Sequence, residues 1–325
     1  MFARLKESRS LLMGLAILGV VIFHAPFVIS NYKLRLIHDN LCCGVDVFLF
    51  CSGLGACHSI RAHGGKGYLK RRAQRLLPGL LLILIPWSIL MKALGYMTWP
   101  EFFGSVTLTG WWLGFSVQLN WYFSAVWLFF LLAIPLYRLF CRVKHPVLLW
   151  LLLSALTLLL QWLLPGYRGS MLMCRMLIFL TGMLFGRLEQ LGFRHENRLR
   201  LIAFLFLILG LWYMVLDYRY DCWGLGYRLG LWWYPYALFT SGGVILISDM
   251  AAYVRRLAPL RRCIKLVEEL GQSSGEILMI HMAVFKVILS TAKIRNIWWV
   301  LVILFCLCAG VFYRKKIVPH LPFSA

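Results

Sequence analysis

His24, Asp46, Lys92, Arg175, Glu276, His281 and Lys286 all stand inside long apolar runs of the sequence. In an apolar solvent an ionisable side chain costs a few kcal/mol or more, so each of these needs a partner or a function. Histidine suits proton transfer near neutral pH. One reading makes His24 a general base and Asp46 the group that holds its other ring nitrogen, the base-and-orienter logic of hydrolytic triads. The other pairs Asp46 with Arg175 or Lys286 to neutralise buried charge and leaves His24 hydrogen-bonded and inert. Glu276, about one turn into its run, also has a plain role as a first-turn acid favoured by the helix dipole.

A second concentration of chemistry runs from His58 to Arg75, where Arg61, Lys66, Lys70, Arg71, Arg72 and Arg75 crowd between two apolar runs. Arg72 and Arg75, three apart, share one helix face and suit a phosphate or another anion. The plain alternative is a basic connection that sets topology. Gly64 and Gly65 match no nucleotide-binding pattern.

These residues require helices in lipid to position them. The chain has 325 residues, of which 61% are hydrophobic and 14% charged, against roughly 45–50% and 25% in soluble domains. Spans of roughly 20 apolar residues are expected at about 11–30, 41–57, 76–97, 120–137, 147–164, 170–186, 201–217, 231–248, 273–291 and 297–313. The fold class is therefore an all-α polytopic membrane protein of about ten helices in a single domain. Phe102–Phe115, with Gly104, Gly110 and Gly114, is too short to span and is expected to be interfacial or re-entrant. Lys and Arg concentrate in alternate connections, which puts both termini in the cytoplasm. Along such helices His24 and Asp46 lie about 8–9 Å below the outer surface at 1.5 Å per residue, with Arg175 at similar depth. The net charge of +22 is explained by these connections and not by a nucleic-acid partner. The ten cysteines form no CxxC pair, so neither a disulfide framework nor a metal site is indicated. Leu11–Ser30 is expected to stay as the first helix, being too long for a signal peptide.

Read in order, several blocks resemble the membrane-bound acyltransferase-3 family, the O-acyltransferases of cell-envelope sugars. Gly14 to His24 resembles its first helix. Gly44-Val-Asp46-Val-Phe-Leu-Phe-Cys-Ser52-Gly53 resembles its GVDxFFxxSG segment, and Arg72-Ala-Gln-Arg75-Leu-Leu-Pro78 its RxxRxxP segment. Asn120-Trp121-Tyr122-Phe123, Arg175 to Gly182, and Gly271 to His281 resemble three later blocks.

The resemblance implies transfer of an acyl group, commonly acetyl from cytoplasmic acetyl-CoA, to a hydroxyl of an envelope glycan or lipid-linked sugar. His24 would act in the transfer with Asp46, and Arg175 would face the developing oxyanion. Arg72 and Arg75 would bind the CoA phosphates. Trp121, Tyr122, Ser52, Glu276 and His281 would line the substrate path. The implied setting is a bacterial plasma membrane, with lipid and the glycan as partners and the oligomeric state open. One departure stands out: the family has Arg or Lys eleven residues before the histidine, and here that position is Met13. Arg9, one turn earlier on the same face, is expected to reach in instead. Leu278 also replaces a frequent Tyr. The competing readings are a transporter or catalytically lapsed binding protein, resting on Met13 and the paired charges, and a structural subunit of an envelope-synthesis complex.

Overall fold

The computed structural model describes residues 1–115, 121–163, 167–220, 233–291 and 295–321. Its helices are α1 Phe2–Glu7, α2 Arg9–His24, α3 Tyr32–Asn40, α4 Gly44–His63, α5 Tyr68–Ala93, α6 Trp99–Val106, α7 Gly110–Leu113, α8 Trp121–Arg142, α9 Pro146–Leu163, α10 Tyr167–Gln190, α11 Glu196–Tyr220, α12 Tyr234–Val254, α13 Leu260–Gln272, α14 Ser274–Thr291 and α15 Asn296–Lys316. No strand occurs among the described residues. Eight helical segments are long and apolar enough to cross a membrane, and a ninth forms if α13 and α14, bent by 72°, make one broken span. The chain is an all-α polytopic membrane protein.

Burial separates inner from outer helices. In α10, 83% of the apolar window is buried, and in α4's span 61%, against 17% in α9 and 22% in α11. The outer helices turn Leu148, Leu151, Leu152 and Leu159 of α9, and Leu201, Leu205 and Leu209 of α11, toward the surroundings. That is the face a helix shows to lipid.

Two departures from the expected spans bear on the site. The first helix stops at His24 instead of running to residue 30, because Ala25 precedes Pro26 and takes the extended conformation (ψ 123°). His24 is thus the last residue of α2 and not a mid-helix residue. The expected basic connection is mostly helix: α4 continues to His63 and α5 begins at Tyr68, so Arg72 and Arg75 sit on the first turns of α5. A further helix, α13, occupies a second stretch whose charge reads as a basic connection, and α3 lies in the connection between the first two expected spans. Phe102–Phe115 forms parts of α6 and α7 around Leu108, whose φ is 62°, and makes no span.

Close backbone approach at glycines sets the packing around the site. A Cβ at Gly14 of α2 would lie 1.9 Å from the carbonyl oxygen of Val267, and one at Gly271 of α13 would lie 1.8 Å from that of Ser10. Only hydrogen fits at either position. The small residues Ser10 and Gly14, four apart, therefore face Val267 and Gly271, also four apart, as membrane helices pack when their backbones touch.

Candidate active site

Most of the residues singled out from the sequence fall into three groups in the structure, while Lys92 stands apart, 5.2 Å from the ring centre of Trp99. The first lines a cavity of about 410 Å³. Arg9 and Met13 come from α2, Ser52 from α4, Arg72 and Arg75 from α5, Tyr122 from α8 and Glu276 from α14. The bend between α13 and α14 adds Gln272 through Gly275, so the first residues of α14 also face the cavity. Ser52 and Tyr122 are hydrogen-bonded to each other.

Charge in this cavity is unbalanced. Glu276 is bridged by Arg314 at 3.3 Å and Glu269 by Lys315 at 3.1 Å. Among the described residues, none of Arg9, Arg72 and Arg75 lies within ion-pair distance of a carboxylate. The Arg72 guanidinium stands 5.1 Å from the ring centres of Tyr68 and Phe130. A side chain at Gly55 would meet the guanidinium groups of both Arg9 and Arg72 at 4.0 Å, so α4 leaves room for the two cations to converge. Like charges held together in a partly enclosed space favour an anion between them. In the sequence Arg314 and Lys315 read only as topology-setting charges. No motif marks them, because their place in the cavity depends on how the last helix packs against α14.

His24 and His281 form the second group and do not line the cavity. Met13 and His24 are eleven residues apart, close to three full turns, so they share a face of α2 about 16 Å apart along its axis. On α14, His281 lies five residues beyond Glu276. The two helices leave the cavity together and bring His24 Nδ1 to 3.3 Å from His281 Nε2. His24 Nδ1 is also 2.9 Å from the Val20 carbonyl, and His281 Nδ1 is 2.9 Å from that of Ile277. His281 is fully buried and His24 partly so. The end of α2 is fixed from outside the helix. His38 Nε2 donates to the carbonyls of Ile22 and Ala25, at 3.1 and 3.2 Å. Asn296 holds both the N–H and the carbonyl of Val28, at 3.1 and 3.0 Å. Neither His38 nor Asn296 is marked by spacing or hydropathy, since both act across separations in sequence that no local pattern records.

The third group is Asp46, Arg175 and Trp121. Arg175 Nε lies 3.4 Å from Asp46 Oδ1, and both side chains are at most 1% exposed. The Arg175 guanidinium is 3.9 Å from the ring centre of Trp233 and 5.6 Å from that of Trp121. Of the two readings open from the sequence, the structure adopts charge pairing: Asp46 faces Arg175, and among the described residues no hydrogen bond joins it to His24. The partner of the His24 ring is His281 instead. Arg175 is enclosed by Asp46 and two indoles, and among the described residues no hydrogen bond joins it to His24.

A family model described as an acyltransferase domain, of the acyltransferase-3 type, matches residues 11–313. No curated protein and no solved structure matches the chain.

Proposed function

The chain belongs to the acyltransferase-3 family and is a membrane acyltransferase, and on that footing we propose that it moves an acyl group, acetyl being the simplest, from a cytoplasmic acyl-CoA to a hydroxyl of an extracytoplasmic or lipid-linked glycan. In this reading the protein sits in a bacterial plasma membrane with its termini and the basic cavity toward the cytoplasm. The observation that carries it is the trio Arg9, Arg72 and Arg75, crowded into one cavity whose carboxylates Glu276 and Glu269 are bridged by Arg314 and Lys315 instead. Guanidinium forks match phosphate oxygens two at a time. CoA carries its phosphates at one end and the thioester at the other, joined by a long flexible arm. That arm would run from the cavity along α2 and α14 toward the histidines. Arg9 supplies from one turn earlier the charge that Met13 lacks.

His24 acts as general base. A carbonyl only accepts, so Nδ1, beside Val20, carries the ring proton and Nε2 keeps the lone pair. Nε2 takes the proton of the acceptor hydroxyl as its oxygen bonds to the thioester carbonyl carbon. Collapse of the tetrahedral intermediate breaks the carbon–sulfur bond, and the leaving thiolate takes the proton back from His24. The products are the acyl ester and free CoA.

The test is transfer of label from radioactive acetyl-CoA to endogenous glycan in membranes holding equal amounts of wild type or His24→Ala. Labelled glycan with wild type and a loss of at least a hundredfold in the variant is expected, the scale of general-base catalysis. Equal labelling by the two proteins would remove His24 from the reaction.

A further inference from the structure

The ring nitrogens of the two histidines have only one consistent arrangement of protons. His281 Nδ1 faces the Ile277 carbonyl at 2.9 Å. That oxygen can only accept, so Nδ1 holds the proton. A neutral imidazole has a single N–H, so His281 Nε2 bears a lone pair. This lone pair points at His24 Nδ1 from 3.3 Å. His24 Nδ1 also faces the Val20 carbonyl, so it is an N–H shared between two acceptors. The chain of donation runs from His24 Nδ1–H to His281 Nε2, and from His281 Nδ1–H to Ile277.

We propose that His281 is the positioning residue of the His24 base, accepting the Nδ1 proton and stabilising the imidazolium that forms in the reaction. The proposal rests on the reading of His24 as the base. In a triad this place belongs to a carboxylate. Here the carboxylate named from sequence, Asp46, is spent on Arg175, and among the described residues no carboxylate lies within ion-pair distance of either ring. The other titratable groups near the pair are Lys286, on α14 with His281, and His38, which donates to the end of α2.

A histidine in this place has a physical advantage inside a membrane. Two neutral rings carry no charge before the reaction, so the resting site avoids the desolvation penalty of a buried carboxylate. When His24 Nε2 takes a proton, the Nδ1–H becomes charge-assisted, and such hydrogen bonds are shorter and roughly twice as strong. The stabilisation therefore grows as the transition state is approached, which is the condition for raising kcat instead of binding. The orientation of the His281 ring is fixed by its surroundings. It is fully buried, bonded to its own helix, and packed edge-on against Phe285, with ring centres 5.4 Å apart.

The experiment compares purified wild type, His24→Ala, His281→Leu and His281→Gln for kcat and for the KM of acetyl-CoA, each variant checked for an unchanged melting temperature. Leucine removes the acceptor; glutamine keeps a carbonyl oxygen that can accept from His24 Nδ1. The expected result is a kcat at least tenfold lower for His281→Leu, substantial recovery in His281→Gln, and an unchanged KM for the donor in both. Equal loss in the leucine and glutamine variants, or loss confined to KM, would overturn the proposal. A full rate in His281→Leu with none in His24→Ala would overturn it while leaving His24 as the base. A full rate in His24→Ala would overturn both. If His281→Leu does not fold, nitrogen-15 NMR of histidine-labelled wild type decides. The proposal requires His24 and His281 both protonated at Nδ1, and an Nε2 proton on His281 would contradict it.

Discussion

Asp46 and Arg175 form the deepest charged pair among the described residues, and the rest of the interior offers them little help. Both carboxylate oxygens of Asp46, and Nε and Nη1 of Arg175, are buried without a hydrogen-bond partner other than the 3.4 Å ion contact. Removing one member of such a pair leaves an uncompensated charge, at a cost of about 3–5 kcal/mol, whereas replacing both with apolar residues is often tolerated. Arg175→Met and Asp46→Leu are therefore each expected to lower the melting temperature and the yield of folded protein sharply. The double variant should recover much of the loss, as a thermal-melt double-mutant cycle would show. Equal stability of Arg175→Met and wild type would instead restore Arg175 as a candidate catalytic cation. All these residues are conspicuous in the sequence, because an ionisable side chain in an apolar run is costly wherever it sits. The choice between His24 and Arg175 as the partner of Asp46 is not legible there, since it depends on the rotation of α4 against α2 and α10.

At the scale of elements, the position of His24 depends on how α2 lies against α13. Their backbones touch at Gly14 and Gly271, where even a methyl group would overlap a carbonyl oxygen. Both helices contribute to the cavity: Arg9 and Met13 on one side, Glu269 and Gly271 on the other. Gly271→Ala is therefore expected to push the helices apart, raise the KM for acetyl-CoA and lower the melting temperature, while Gly243→Ala on α12, in open space and away from the cavity, should cost far less. Steady-state kinetics and a thermal melt on both variants check this; equal behaviour of the two would show that the contact does not position the site. The apolar runs locate most of the helices but not their ends. Pro26 ends α2 early by constraining Ala25, a signal present in the sequence and outweighed there by hydropathy. The helix α13 is hidden for the opposite reason. It carries Arg261, Arg262, Lys265, Glu268 and Glu269, so its charge reads as a connection although one side packs against α2.

For the whole molecule, the central arrangement is a basic cavity joined to a buried histidine pair by two helices, α2 and α14, that share both. Helix-face spacing and resemblance point to Arg9, Arg72 and Arg75 as donor-binding residues from the sequence alone. Arg314 and Lys315 are not legible in this way, because they come from the far end of the chain. Binding and chemistry are thus assigned to different places, and they should be separable. The most direct measurement is the dissociation constant of acetyl-CoA for purified wild type, the double variant Arg72→Gln/Arg75→Gln, and His24→Ala. Charge-assisted hydrogen bonds contribute roughly 1.5–3 kcal/mol each, so the arginine variant is expected to bind at least about tenfold more weakly. His24→Ala, altered only at the distant histidine, should bind like wild type. Undiminished binding by the arginine variant, or binding lost with His24 alone, would contradict the assignment of the cavity to the donor.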